Sequence, residues 1–263
     1  MDIFEFVSSY KNHPVLFVGT GLSLRYLNNS FNWEGLLKYV AIDLYGTDEK
    51  FYDMKNKVHK THDGSYDLMQ LAQLLELEFN ELVAKDRDGK FKDINDLFYE
   101  ASRENKSLSR FKIYVKNLLS TLDYKDSMLP EIECFKRISK NISSVVTTNY
   151  DRMIEDLIQF QPLIGNEILL SNPYGSIYKI HGCVNYPEKI ILTENDYKNF
   201  AERYELIRAQ LISLFVHNPI IFLGYSVGDD NIKEILSTIY KYVEMALLHK
   251  PSIKSLFSNI ISK

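Results

Sequence analysis

Val15-Leu16-Phe17-Val18-Gly19-Thr20-Gly21-Leu22-Ser23 is the stretch whose reading decides the fold. Its apolar run has the length of a strand buried on both faces, the kind that parallel sheets use. Glycines at 19 and 21 then break the run, and the residues that follow read as a helix. A strand that enters a helix through a Gly-x-Gly turn is the setting of a phosphate-cradling loop. Absent side chains let backbone N–H groups approach an anion, and the helix N-terminus adds partial positive charge. Ser23 either hydrogen-bonds a phosphate or ribose or caps the turn. Leu24 stands where a dinucleotide fingerprint has its third glycine.

On the N-terminal side, Ile3, Phe4 and Val7 are spaced as on a helix over 1–11, which Asn12-His13-Pro14 ends before a strand at 14–19. On the other side, Leu36, Leu37, Val40, Ala41 and Leu44 predict an amphipathic helix from Trp33 to Tyr45, and a second runs from Leu68 to Val83. Segments 48–64 and 84–106 are rich in Lys, Asp, Asn and Gly, and no strand pattern occurs before Ile142. Roughly 30–140 is therefore expected to be a mainly helical insertion and not a separate globular domain. Strands are then expected at Ile142–Thr147, Ile177–Ile180, Lys189–Leu192 and Pro219–Gly224. Helices are expected at Asp151–Phe160, Glu205–Val216 and Asn231–Ala246. Strands alternating with helices predict an α/β fold with a Rossmann-like parallel sheet flanked by helices, a single domain over 1–263. The tail from Lys250-Pro251 onward shows no domain closure, which fits the N-terminal part of a longer protein.

Three further motifs fall at strand ends, where open α/β sheets bind ligands. Thr147-Thr148-Asn149-Tyr150-Asp151 follows the strand at 142–147, and its Asn149 or Asp151 either meets a ligand or caps the next helix. Lys179-Ile180-His181-Gly182 places an imidazole where the backbone can turn sharply; His181 is a candidate base near neutrality or a structural histidine. Gly224-Tyr225-Ser226-Val227-Gly228-Asp229 adds a second strand-end glycine and hydroxyl, with Asp229 and Asp230 read as helix-start residues. His59 and His62 form a His-x-x-His pair with no supporting ligand motif and are assigned to a solvated segment.

Composition narrows the classes. A chain of 263 residues, 45% hydrophobic, buries a sizeable core. A net charge of −4 carries no electrostatic footprint for nucleic acid. The cysteines, Cys134 and Cys183, number 2, too few for a disulfide framework or a four-thiolate zinc site, so no metal is expected. The sequence from Met1 has no signal-peptide pattern, and no apolar run reaches the roughly 18 residues of a membrane span, so a soluble cytoplasmic protein is expected.

The ordered motifs resemble those of the sirtuin superfamily: Gly-Ala-Gly-x-Ser, Thr-Gln-Asn-x-Asp, a catalytic His followed by Gly, and a Gly-x-Ser strand end. The matching residues are Gly19, Gly21 and Ser23; Thr147, Asn149 and Asp151; His181 and Gly182; Gly224 and Ser226. Thr-Thr-Asn-Tyr-Asp, Lys-x-His-Gly and Gly-Tyr-x-x-Gly-Asp are closer still to the bacterial sirtuin-like domains of anti-phage defence proteins, which hydrolyse NAD instead of deacylating proteins. The resemblance spans roughly 13–245. It implies an NADase that cleaves NAD to nicotinamide and ADP-ribose, with NAD as substrate, in defence by abortive infection. Residue by residue, it implies catalysis at Asn149 and His181, pyrophosphate and ribose binding at Gly19, Gly21 and Ser23, nicotinamide-side contacts from Asp151, and adenosine-side contacts near Gly224 and Ser226. Thr20 and Thr147 complete the implied NAD-binding set.

Thr20 replaces the usual alanine with another small side chain, whereas Thr148 replaces the deacylase glutamine and argues against deacylation. The zinc-binding cysteines of the deacylases have no counterpart, so the helical insertion is expected to replace the zinc module. Because free NADase activity would harm its host, activation by homo-oligomerisation, a phage-derived partner or a fused sensor is expected. The alternatives are an NAD-dependent protein deacylase or ADP-ribosyltransferase, which would require a protein acceptor, and a non-catalytic NAD or ADP-ribose sensor module.

Overall fold

A computed structural model of the chain describes residues 12–60, 64–170, 174–226 and 230–247. The expected helix over 1–11, His62, Asp229 and the tail lie outside the described residues.

Its sheet is built from β1 (Val15–Val18), β2 (Ser144–Thr147), β3 (Gln161–Ile164), β4 (Ser176–Lys179) and β5 (Ile220–Leu223). The strands are parallel and ordered β3-β4-β2-β1-β5. Leu16 lies opposite Val145 on one side and Ile221 on the other, so β1 is the central strand of that trio. Alternating side chains feed two separate cores, because successive strand residues point to opposite faces. Val15, Phe17, Val146 and Tyr178 pack under α9 (Glu194–His217) and α10 (Asp230–Leu247). Leu16, Val18, Val145 and Ile177 pack under α1 (Thr20–Tyr26), α7 (Leu129–Lys136) and α8 (Met153–Leu157). Burial on both faces is why β1 and β2 lack polar alternation, and each fully buried Val, Leu or Phe stabilises the fold by about 1.5–3 kcal/mol.

Between β1 and β2 the described residues form helices and contribute no strand to the sheet. These include α2 (Trp33–Tyr45), α3 (Glu49–Lys57), α4 (Leu68–Lys85), α5 (Lys92–Arg103) and α6 (Arg110–Leu119), which share a core of Leu37, Val40, Phe51, Leu75, Phe79 and Phe111. The start of α2 is set by Asn32, whose side chain accepts from the Gly35 N–H, and Asp67 caps α4 in the same way. Ile190 and Leu192 insert into this helical core from the far side of the chain.

Three expectations are corrected. The helix expected over 151–160 is confined to Met153–Leu157 and gives way to β3. Pro162 sits in β3, which pairs with β4 alone, an edge position where the missing N–H costs little. Lys189–Leu192 is not a strand of the sheet: a 3-10 turn covers Pro187–Lys189, and the apolar residues beyond it serve the helical core. Finally, α9 begins at Glu194 instead of Glu205. Thr193 and Asp196 form a reciprocal capping box that starts it.

No described helix is long and apolar enough to cross a membrane.

Candidate functional site

All carboxyl ends of a parallel sheet open on the same side. From β1 the chain builds outward through β2 to the edge strand β3, returns to insert β4 between them, then crosses to β5 on the opposite flank, so the strand order reverses beside β1. Such a reversal leaves a crevice at the strand ends. A cavity of about 510 Å³ occupies it. Thr20 contributes from the end of β1, Thr148 to Asp151 from β2, His181 from β4, and Gly224 and Ser226 from β5. Four separate sequence motifs therefore meet at one cavity.

Gly19, Gly21, Ser23 and Thr147 are not part of its wall. The glycines serve close packing between the ends of β1 and β5. A Cβ on Gly19 would lie 2.6 Å from the Gly224 carbonyl oxygen, and one on Gly21 2.7 Å from the same atom. The Gly21 N–H donates to that oxygen at 2.8 Å, and the Gly19 N–H to Leu223 O at 3.0 Å, so both amides are already engaged. Gly224 itself has φ +60°, and its own Cβ would strike Leu22 N at 2.2 Å.

The buried Thr147 hydroxyl donates to Val18 O and accepts the Asn149 N–H, which ties the Asn149 backbone to β1. The Asn149 side chain is 2% exposed, and its Nδ2 donates to Ser23 Oγ at 3.0 Å. Ser23 Oγ donates in turn to Asp151 Oδ2 at 2.9 Å, while Asp151 Oδ1 accepts the Met153 N–H at the start of α8. Asp151 therefore accepts the first N–H of α8 from one residue ahead of the N-cap position, which Arg152 occupies, and holds a second bond as well. Ser23, 1% exposed, bonds side chains and not merely its own turn.

His181 is buried against Tyr197 and Phe200, edge-on to both rings. Its Nδ1 lies 3.5 Å from the Tyr197 hydroxyl. Gly182 follows with φ +89°, and a Cβ there would lie 2.3 Å from Lys189 O, so the sharp exit after His181 depends on glycine. Lys179, fully buried, donates to the Asp151 carbonyl and pairs with Glu155 at 2.9 Å. Strand-end reasoning passed over Lys179. The available signal was a lysine inside the otherwise buried run Ile177–Ile180. Nearby Cys183 is buried, and burial pushes its thiol pKa up, which is the wrong direction for a nucleophile.

The opposite wall comes from the helical segment, and nothing in the strand-end motifs foretold it. Phe31, Trp33, Tyr66 and Leu68 line the cavity, and Trp33 stacks on Tyr197 with ring centroids 5.9 Å apart. Around the cavity Asn149 Oδ1 on the strand-end side and Ser30 Oγ and Trp33 Nε1 on the helical side are buried without hydrogen-bond partners among the described residues. Orphaned polar atoms are uncommon in protein interiors, and gathered at one cavity they suit a polar ligand. Among the described residues no group of three or more His, Cys, Asp or Glu could hold a metal ion.

Residues 143–248 match the model of the SIR2-like domain family. Over 253 residues the chain is 24% identical to defense-associated sirtuin 2 of Bacillus subtilis, covering 93% of this chain and 21% of that protein. It is 25% identical over 244 residues to the NAD(+) hydrolase ThsA of Cytobacillus dafuensis, covering 89% of this chain and 40% of that protein. With the NAD(+) hydrolase ThsA of Acinetobacter baumannii it shares 29% identity over 111 residues, 39% of this chain and 23% of that one. The chain thus spans from 21% to 40% of the length of these relatives. The sirtuin-like resemblance read from the motifs and the SIR2-like match agree.

Proposed function

We propose that this chain, which carries a SIR2-like domain, binds NAD across the strand ends and hydrolyses it to nicotinamide and ADP-ribose. The observation that carries this reading is the pairing, on one cavity, of an unbonded buried amide oxygen, Asn149 Oδ1, with the His181 imidazole. A cavity of about 510 Å³ is within the range of small-molecule sites, and Phe31, Trp33 and Tyr66 give part of its wall aromatic character.

In the proposed reaction the nicotinamide–ribose bond breaks heterolytically. Its electron pair leaves with the ring, which departs neutral, and the ribose passes through an oxocarbenium-like transition state. Asn149 Oδ1 accepts a hydrogen bond from a ribose hydroxyl or the attacking water and holds it in line. His181 takes the proton that this water or hydroxyl releases and returns it to solvent. Water supplies the oxygen added to ADP-ribose, so atoms and charge balance with one proton released. Names among the relatives, defense-associated sirtuin 2 and NAD(+) hydrolase ThsA, support NAD chemistry in a defence setting. Within that setting the chain would act as a regulated cytoplasmic effector that depletes NAD, held inactive until homo-oligomerisation, a phage-derived partner or a fused sensor releases it.

The test is nicotinamide release from NAD by purified protein, with Tm and NAD affinity measured on the same samples. Asn149→Ala and His181→Ala should each retain folding and most affinity while losing about 10²–10⁴-fold in turnover. A stable, NAD-binding His181→Ala protein that releases nicotinamide at the wild-type rate would sink the mechanism. Product formation only in the presence of a protein acceptor would instead establish transfer or deacylation.

A further inference from the structure

The donors and acceptors around Asn149 form a chain with only one consistent direction. Asp151, as a carboxylate, can only accept. One of its oxygens accepts the Met153 N–H at 3.0 Å, and the other faces Ser23 Oγ at 2.9 Å. Ser23 has a single hydroxyl proton, and Asp151 claims it. Ser23 Oγ is then an acceptor toward Asn149, 3.0 Å away, so the amide must present its Nδ2 to Ser23. Oδ1 is thereby the end left without a protein partner, in a side chain only 2% exposed at the cavity wall.

We infer that Ser23 and Asp151 are positioning residues that determine which end of the Asn149 amide is offered to substrate, the proton of Ser23 carrying the instruction from one to the other. The inference rests on the proposed NAD hydrolysis, in which Asn149 must act as an acceptor. It also gives Asp151 a different task from direct contact with nicotinamide. An amide turned the other way would set its carbonyl against the Ser23 lone pairs and offer N–H groups where the reaction requires an acceptor.

Asp151→Asn reverses the chain while keeping the same number of heavy atoms in it. The Met153 N–H still demands an acceptor, so the carboxamide introduced at position 151 must give it the oxygen and turn its NH₂ toward Ser23. Ser23 then accepts from that NH₂ and donates to Asn149, whose amide inverts. Turnover should fall by about 10²-fold or more, close to the loss in Asn149→Ala, with KM little changed. Ser23→Ala removes the instruction without reversing it, and the loss of one hydrogen bond corresponds to about tenfold or less. With no hydroxyl to drive the inversion, Ser23→Ala/Asp151→Asn should recover to the level of Ser23→Ala alone.

Losses that multiply in the double variant, or a raised KM in every Asp151→Asn background, would overturn the inference in favour of direct substrate contact by Asp151. A readout on the folded wild-type protein does not depend on turnover or on any variant folding. Nuclear Overhauser contacts between the Asn149 carboxamide protons and the Ser23 β-protons should be present, and in Asp151→Asn they should disappear. Their absence in the wild type would refute the relay even if NAD is hydrolysed. Their presence in a protein that releases no nicotinamide would uphold the relay and place the failure in the reading as a hydrolase.

Discussion

A methyl group at position 21 would collide with the end of β5. Its Cβ would lie 2.7 Å from the Gly224 carbonyl oxygen, 2.8 Å from the Gly224 Cα and 3.0 Å from its carbonyl carbon, all backbone atoms that cannot rotate away. Relieving the clash means moving the Gly224 turn, whose φ of +60° leaves few alternatives, and stretching the 2.8 Å bond from the Gly21 N–H to Gly224 O. Overpacking of this kind costs about 1–3 kcal/mol and loss of the bond about 0.5–1.5 kcal/mol. Alanine returns about 1 kcal/mol through its better helix propensity, since position 21 is in α1. Gly21→Ala should therefore destabilise the ligand-free protein by about 0.5–3.5 kcal/mol, or roughly 1–14 °C in Tm at about 2–4 °C per kcal/mol for a chain near this size. Calorimetry without nucleotide is the assay. A Tm at or above the wild-type value, with NAD binding lost, would refute the packing argument. It would return Gly21 to the role expected from the motif alone, close approach to a pyrophosphate.

Other outcomes follow from the same structure. Lys179→Met leaves the Glu155 carboxylate buried at 9% exposure without its cation and should cost about 3–5 kcal/mol in urea unfolding, where a loss under about 1 kcal/mol would contradict it. Exposed Cys134 should react with a thiol reagent near neutral pH while Cys183, buried with its thiol pKa raised, reacts only on unfolding; two fast equivalents would show otherwise. Hydrogen bonds from Arg25 and Tyr26 lower the Glu131 carboxyl from the ordinary 4.5 to about 2. A pKa depressed in the folded state contributes stability above the unfolded value that is lost as pH falls through the folded one. The Tm difference between wild type and Glu131→Gln should accordingly shrink from pH 4.5 to about 2, and a constant difference would argue against the assignment.

The parallel sheet was legible because a strand buried on both faces needs apolar residues at every position, which β1 shows as Val-Leu-Phe-Val; β5 is likewise apolar throughout though half-buried at the sheet edge, and β2 keeps an apolar Val145-Val146 centre between Ser144 and Thr147. The helices α2 and α4 announced themselves by 3.6-residue spacing, for one side of each meets a core. The same local rules also placed Asn149 and His181 at strand ends, and the cavity contains both. Where local preference and tertiary demand part, the pattern misleads. Ile190 and Leu192 alternate as in a strand but are buried by helices, and β3 holds a proline because only one neighbour needs its hydrogen bonds.

What the chain order could not contain was the use to which each motif is put. Glycines at 19 and 21 read as room for a phosphate; in three dimensions that room is taken by Gly224, some 200 residues away in sequence. Trp33 and Tyr197 belong to helices with ordinary core patterns, and only packing of the helical segment over the strand ends makes them a wall of the site. The direction of the Asn149 amide depends on Ser23, 126 residues distant, and on the carboxylate it serves. Residue types and local periodicity are properties of neighbours along the chain, and they determined the sheet, the helices and the identity of the polar groups. Steric exclusion and the sharing of a single proton are properties of neighbours in space, so the tertiary structure alone decided what those groups face and which of their atoms remain free.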